Sequence, residues 1–390
     1  MLIFLTVVIT ILGLLHWFLY SRLVSALEVT SPAVLWTLRI LAAFLALSYL
    51  IGRILEQRFP GLLAHAVDWI ASIWVGMMWQ FLWVSFLFFL VKVILVIGGQ
   101  WGNFSLETHQ LLGRYSFYIV TTLVVLITVY GVYKATGPAR LVEVHVPVKN
   151  FRPEWRDFSI AMVADFHASN TNGEKRIAMW CDQITALKPD VILAPGDVID
   201  IPANQIPEVV NGFRKLSAPM GVFSTTGNHE YYVGVMAAVD FMTRGGFRVL
   251  LNENVTLPNG ILISGMEERT ARSMGRPLPA FDQLIPENDS SAARILMLHT
   301  PATGDVQKAM AAGFDLVVSG HTHGGQIFPF TIFTRMVFPY HHGLYSVGNG
   351  YQLTTCGIGF WGPPMRVGKP PEIMLIKFVP ETEPSKCEWK

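Results

Sequence analysis

Charge is scarce in this chain of 390 residues: Asp, Glu, Lys and Arg make up 15% of it, against about 25% in an ordinary soluble domain. With a mean hydropathy of +0.41, the chain is too apolar to be disordered or to be a single soluble domain. An excess of one sign is missing too. The 29 basic residues against 28 acidic ones lack the surplus that binding a phosphate backbone requires, which argues against a nucleic-acid partner. Cysteine is limited to Cys181, Cys356 and Cys387, an odd number without framework spacing, so free thiols are expected rather than a disulfide scaffold. Repeats, low-complexity tracts and sustained heptads are also lacking, which excludes a solenoid, a collagen-like fibre and a coiled coil. Asn103, Asn254 and Asn288 open short glycosylation matches of a kind that arise by chance.

The scarce charge is unevenly distributed. Residues 1–135 hold 7 Lys/Arg and 4 Asp/Glu, whereas residues 136–390 hold 22 and 24. A membrane-crossing helix needs about 20 mainly apolar residues, and four stretches qualify, at about 2–20, 33–51, 69–99 and 116–133. Arg39 is the one charge in the second, and Gln80 and Lys92 interrupt the third. Trp69 and Trp101 bracket that third stretch as interfacial aromatics do. Buried soluble helices would show a polar face, and these stretches have none. A signal peptide would need a basic start and a small-residue cleavage site, and the first stretch has neither. The expectation is an integral, multi-pass membrane protein whose partner is the lipid bilayer. Arg53, Arg58, Lys134, Arg140 and Lys149 gather on one side against Arg22 and Arg114 on the other, joined by Arg39 and Lys92 if those snorkel outward, so a count of five to two or five to four leans the C-terminal domain toward the cytoplasm.

The remaining residues, about 250, suffice for one large domain. The expected organisation is a four-helix membrane region at 1–135, a linker and first strand at 136–157, a catalytic domain at 158–380 and a tail at 381–390. Leu141–Val148 alternates like a half-buried strand. Short apolar runs then end in polar groups: Ile160–Ala164 before Asp165 and His167, Val191–Pro195 before Asp197 and Asp200, Gly221–Thr226 before Asn228 and His229. Two later runs end at His299 and at His321 and His323. Helical candidates such as Glu174–Leu187 and Gly234–Thr243 lie between them. This alternation predicts an α/β domain with its site at the carboxyl ends of its strands.

Five of the eight histidines beyond residue 135 fall in this ordered set. On a strand, residues two apart point the same way, so Asp165 with His167, and His321 with His323, are each read as a pair able to grip one ion. Oxygen and imidazole donors without thiolate suit Zn, Fe, Mn or Co. The candidate ligands Asp165, His167, Asp197, Asn228, His299, His321 and His323 are too many for one four-coordinate ion. They suit two divalent ions sharing a carboxylate, an arrangement that serves displacement at phosphorus.

In order and spelling these motifs (Asp-x-His, Gly-Asp-x-x-Asp, Gly-Asn-His-Glu, a lone His, Gly-His-Thr-His) resemble the calcineurin-like metallophosphoesterases over about Phe158 to Phe378. The tail Gly357-Ile-Gly and the run from Pro370 resemble its YkuE/YaeI-type branch, and the preceding spans resemble that of its multi-span members. The resemblance implies a four-layer αββα sandwich. It also implies that Asp165, His167 and His323 hold one metal, that Asn228, His299 and His321 hold the other, and that Asp197 bridges them. His229 becomes the histidine that protonates the leaving oxygen, and Asp200 the group that orients it.

One departure stands out. The family's protein phosphatases follow the second Asp of Gly-Asp-x-x-Asp with Arg, whereas Ile201 and Pro202 follow Asp200 here. The bidentate guanidinium clamp is missing at this place, which disfavours a phosphoprotein substrate. Arg269, Arg272 or Arg276 is a substitute contact, or the three form a solvated loop. His341–His342 reads as structural, and Glu230 as a local hydrogen-bonding group. Gln326–Tyr340 reads as core or a packing strand, with a greasy lip beside the site as the alternative. The expected activity is a metal-dependent phosphoric ester or pyrophosphate hydrolase acting on a phosphorylated lipid or lipid-linked substrate. A UDP-diacylglucosamine-type lipid is the narrower expectation by analogy with membrane-associated relatives. The rivals are a transporter or sensor whose metal domain regulates the spans, and a degenerate metal-binding module.

Overall fold

The computed structural model describes residues 2–59 and 61–389. The chain divides into two compact units: residues 1–133 with 362–365, and residues 134–361 with 366–390.

The first unit contains α1 (Leu2–Ala26), α2 (Pro32–Arg58), α3 (Leu62–Ile97) and α4 (Leu106–Thr136), each long and apolar enough to cross a membrane. All four helices extend beyond the apolar runs seen in sequence at one or both ends. An apolar run stops at the first charge, whereas a helix continues while its backbone bonds are made. Pro32 opens α2 at a position where its missing N–H costs nothing.

This extension relocates the charges. Arg39 and Lys92 read as the charges deepest in the spans, but Asp68 also lies inside α3 and is buried. It faces Arg53 of α2 at 3.4 Å, while Glu56 and His65 approach to 3.8 Å one turn away. Pairing of this kind makes charge tolerable within an apolar bundle. Arg39 donates to the Tyr20 hydroxyl at 3.0 Å and packs over Trp36, and Lys92 sits 4.9 Å from the Trp101 ring.

The second unit is built from β1 (Arg140–Val148), β2 (Ile160–Met162), β3 (Val191–Pro195), β4 (Val222–Thr225), β5 (Arg248–Val249), β6 (Glu253–Thr256), β7 (Ile261–Gly265), β8 (Ala293–Met297), β9 (Leu316–Ser319), β10 (Gly343–Val347), β11 (Gly350–Thr354), β12 (Glu372–Pro380) and β13 (Lys386–Trp389). Its helices are α5 (Glu174–Ala186), α6 (Val209–Phe213), α7 (Asn228–Val233), α8 (Val235–Arg244), α9 (Thr270–Ser273), α10 (Thr303–Ala311) and α11 (Phe330–Val337). Among the described residues, the strands form one sheet in the order β13-β1-β12-β2-β3-β4-β5 and another in the order β10-β11-β9-β8-β7-β6. β2, β3 and β4 run parallel, as do β7, β8 and β9. Within the segment 381–390, β13 adds an edge strand antiparallel to β1, and Lys390 lies outside the described residues.

Strand alternation sets the layers. Ile160 and Met162 of β2, Ile295 and Met297 of β8, and Leu316 and Val318 of β9 all point into one core between the sheets. Their neighbours point the other way. Ala161 packs toward Ile177, Trp180 and Ile184 of α5, and Leu296 and Val317 pack toward Val306, Ala309 and Met310 of α10. A strand buried on both faces must be apolar at every position, which explains the unbroken runs in sequence. The result is helix, sheet, sheet, helix. All three cysteines are free.

Ile295 is fully buried between the sheets. Ile295→Ala is therefore expected to destabilise the domain by about 2–5 kcal/mol, read as a lowered thermal unfolding midpoint.

Candidate metal centre

Nine polar side chains meet beyond the carboxyl ends of five strands. β2 leads to Asp165 and His167, β3 to Asp197 and Asp200, and β4 to Asn228 and His229 at the start of α7. β8 leads to His299, and β9 to His321 and His323. The first sheet thus supplies most carboxylates and the second most imidazoles.

The pleat does not align the paired ligands. β2 ends at Met162 and β9 at Ser319, so the strand alternation invoked for Asp165–His167 and His321–His323 fails. Their backbones instead adopt the left-handed region, with φ of 57° and 47° in the first pair and 72° and 49° in the second. Asp197 joins them at 52°. A non-glycine residue there costs on the order of 1 kcal/mol, so five such residues need a surrounding structure that enforces them. Phe166 is held in the core on the α5 side of the sheet. The Asp165 carboxylate accepts the His321 N–H at 2.9 Å. A side chain at Gly227 would collide with the Asp197 carboxylate, and one at Gly320 would come within 2.7 Å of Asp165 Oδ2.

Glu230 is the local clamp. Its buried carboxylate accepts the backbone N–H groups of Val198 at 2.7 Å, Ile199 at 3.1 Å, Asp197 at 3.1 Å and Gly227 at 2.6 Å. Burial, reinforced by the negative charge of Asp197, raises its pKa despite these bonds.

Donor atoms converge in overlapping groups: Asp165, His167 and His323; His167, Asp197 and His229; and Asp197, His299 and His321. Asp197 Oδ2 lies 3.1 Å from His299 Nε2 and 3.8 Å from His167 Nε2, between the outer groups. The His167 and His323 Nε2 atoms approach to 2.9 Å. His299 Nδ1 lies 2.8 Å from the Pro195 carbonyl, which can only accept. Nδ1 therefore carries a proton, which turns Nε2 toward Asp197 and the cluster. Asn228 Oδ1 lies 3.0 Å from His321 Nδ1. Buried carboxylate, amide and neutral imidazole donors converging in this way fit divalent cations.

Electrostatics does not treat the histidines alike: burial works against a charge on His299, but the charge and hydrogen bond of Asp197 outweigh it and raise its pKa well above the usual value. Burial, with the neighbouring His299 charge, pushes His321 down to about 3, and burial, with His167, lowers His323 well below its usual value. Both are neutral, as ligation requires. His229 behaves oppositely. Burial pulls its pKa down, but the hydrogen bond to Asp200 and the charge of Asp197 outweigh it and raise it to about 9. Burial also works against the Asp200 charge, yet its bonds to His167 and His229 hold it below the usual carboxylate range. Asp200 contacts His229 Nδ1 closely and lies 3.4 Å from His167 Nδ1, so it steadies both rings.

Other candidates fall elsewhere. Arg276 pairs with Glu267 at 2.8 Å, Arg272 is exposed, and the charge of Arg269 reaches His321 and Glu268. His341 accepts from Arg335 at 3.1 Å. His342 belongs to a separate group with Cys356 and Glu372, whose carboxylate already accepts from Thr355 Oγ1 at 2.9 Å and Cys356 N at 2.7 Å. The sequence reading passed over Glu268, whose Oε1 accepts from Thr300 beside His299 at 3.0 Å and whose buried Oε2 has no hydrogen-bond partner. It follows β7 just as the other site residues follow their strands, so the same pattern marks it. Trp361, which approaches His229 with ring centroids 6.2 Å apart, has no such signal.

The fold and the donor set together define a two-sheet α/β domain with a candidate metal centre at its strand ends. A family model described as calcineurin-like phosphoesterase matches residues 158–325. An uncharacterized metallophosphoesterase of Campylobacter jejuni is 27% identical over 385 residues, covering 96% of this chain and 98% of the relative, so the similarity extends through the N-terminal helices. Another from Aquifex aeolicus is 32% identical over 228 residues, covering 57% of this chain and 86% of its own length. The transmembrane protein with metallophosphoesterase domain of Danio rerio is 27% identical over 270 residues, covering 66% of this chain and 62% of that protein. The chain belongs to the calcineurin-like metallophosphoesterase family, whose members use divalent metals, and its four long helices associate it with the membrane.

Removing Glu230 strands four buried N–H groups, each worth about 1–3 kcal/mol when unsatisfied. Glu230→Ala is expected to lower both the unfolding midpoint and the metal content measured by plasma mass spectrometry. Glu230→Gln, which retains one acceptor oxygen, should fall between that variant and the wild type.

Proposed function

We propose that this chain is a membrane-anchored, binuclear metal-dependent phosphoesterase that hydrolyses a phosphate ester or pyrophosphate bond of a lipid or lipid-linked substrate. The convergence of donors on both sides of Asp197 carries the reading. Asp165, His167 and His323 hold one ion, Asn228, His299 and His321 hold the second, and Asp197 serves both. Mn, Fe, Zn or Co suits this donor set. Bound there, divalent cations supply a nucleophile of lowered pKa and neutralise phosphoryl charge.

The chain's own groups handle the proton. Hydrolysis joins a water oxygen to phosphorus and breaks a P–O bond, and the departing oxygen needs a proton. His229 is less buried than His167, His299 and His323 and is protonated at neutral pH by its pairing with Asp200. It is the acid, and Asp200 holds its ring in place. No arginine follows Asp200, which supports a non-protein substrate. Arg269 contributes positive charge near His321. The membrane-length helices support a substrate at the bilayer and a multi-pass topology, and the distribution of Lys and Arg between the helix ends supports a cytoplasmic catalytic domain.

Purified chain with manganese is expected to hydrolyse bis-p-nitrophenyl phosphate and to bind two metals. His229→Ala should lower kcat about 10²–10⁴-fold while keeping the metal. Asp197→Asn should lose both, and a chelator should abolish turnover until metal returns. Wild type no faster than Asp197→Asn would sink the enzyme reading. For topology, a C-terminal green fluorescent protein fusion should fluoresce and an alkaline phosphatase fusion should stay inactive; the reverse pattern places the domain outside.

A further inference from the structure

Beyond Pro329, the segment after the last metal motif is neither core nor strand. Phe330–Val337 is helical, and none of its residues is buried. Its amphipathicity is inverted: Thr331 and Thr334 are half-buried, whereas Ile332, Phe333, Met336 and Val337 point outward. Met336 is 76% exposed and Val337 67%. A solvated surface helix shows the opposite pattern, and a contiguous apolar face of this kind marks an interaction site.

Both ends of α11 are tied to the metal centre. At its start, Gly325 lies against the backbone of Thr331 so closely that any side chain there would collide, and Gly325 is two residues from His323. At its end, Phe338 packs edge-on against the His321 ring with centroids 5.4 Å apart. A second tie runs from Gln326, which donates to the Trp361 carbonyl at 2.9 Å and accepts the Trp361 N–H at 3.0 Å. Trp361 and Tyr232 lie against His229, with centroids 6.2 Å and 5.2 Å apart, and are 55% and 66% exposed. Aromatic side chains therefore flank both His229, through Trp361 and Tyr232, and His321, through Phe338 at the end of α11.

We infer that α11, with Trp361 and Tyr232, is a seat for the hydrocarbon chain of an amphiphilic phosphoester, and that it selects substrates by their apolar tail. This rests on the proposed phosphoesterase and specifies how the same site recognises its substrate. The geometry favours a chain over a soluble head group because α11, Trp361 and Tyr232 offer apolar area, whereas the polar groups of the site converge on one another. Membrane-length helices in the same chain supply the source of such amphiphiles.

The test uses the full chain in phosphatidylcholine nanodiscs with manganese and a series of alkyl p-nitrophenyl phosphates from ethyl to octyl. The expected result is a KM that falls about twofold or more per added methylene, with kcat nearly constant. Met336→Asn with Val337→Ser should flatten the series while leaving hydrolysis of the ethyl ester unchanged, which also reports intact folding. A flat series in wild type, or a steep one in the double variant, overturns the proposal. Failure of the enzyme reading is distinguishable, since the ethyl ester would then be hydrolysed no faster by wild type than by Asp197→Asn. In that case a diazirine-tailed alkyl phosphate decides the seat. It should label α11 in wild type more than in the double variant, and equal labelling overturns the assignment.

Discussion

Five candidate metal ligands sit in the left-handed region of backbone space, a conformation that side chains resist. Much of the second unit serves to make that arrangement stable. Two packed sheets bring the strand ends together, Glu230 gathers four N–H groups from the turns around Asp197, and glycines at 227 and 320 clear room beside Asp197 and Asp165. The strain is local, while the compensation is spread over the inter-sheet core and the buried hydrogen bonds. The proposed catalysis at phosphorus calls for preorganisation of this kind.

Charge is arranged with similar economy. Asp197 lies between the imidazoles of both sheets, and His321 and His323 are kept neutral by burial and by neighbouring positive charge. Asp200 stands behind His229 and raises its pKa against the effect of burial, while also reaching His167.

The two units answer different solvents. In the first, residues such as Asp68 and Arg53 are paired within a helical bundle whose outer surface is apolar. In the second, α11 places its apolar side outward beside the metal centre. The proposed lipid substrate joins a polar phosphoryl group to an apolar tail, for which the candidate metal centre and the outward face of α11 are the corresponding surroundings.

Much was legible in the sequence because the relevant physics is local. The apolar runs of the N-terminal third, the strand at 141–148 and the ordered Asp, Asn and His residues after short buried strands all follow from periodicity and burial along the chain. Glu268 was legible by the same rule, although its role depends on Thr300 and His299, which come from a different strand end. The extent of α2 to α4 was not, since helix ends are set by backbone bonding as well as hydropathy. Nor was the left-handed geometry of the ligand pairs, which the strand pattern misassigned, or the outward face of α11, whose composition alone reads as core. The sequence by itself determined which residues could bind metal and which segments belong in lipid, because side-chain chemistry and local hydropathy are properties of the chain. Only the tertiary structure decided which side chains meet, which imidazole is charged and where Trp361 stands. Those depend on distances and burial between segments far apart in the chain.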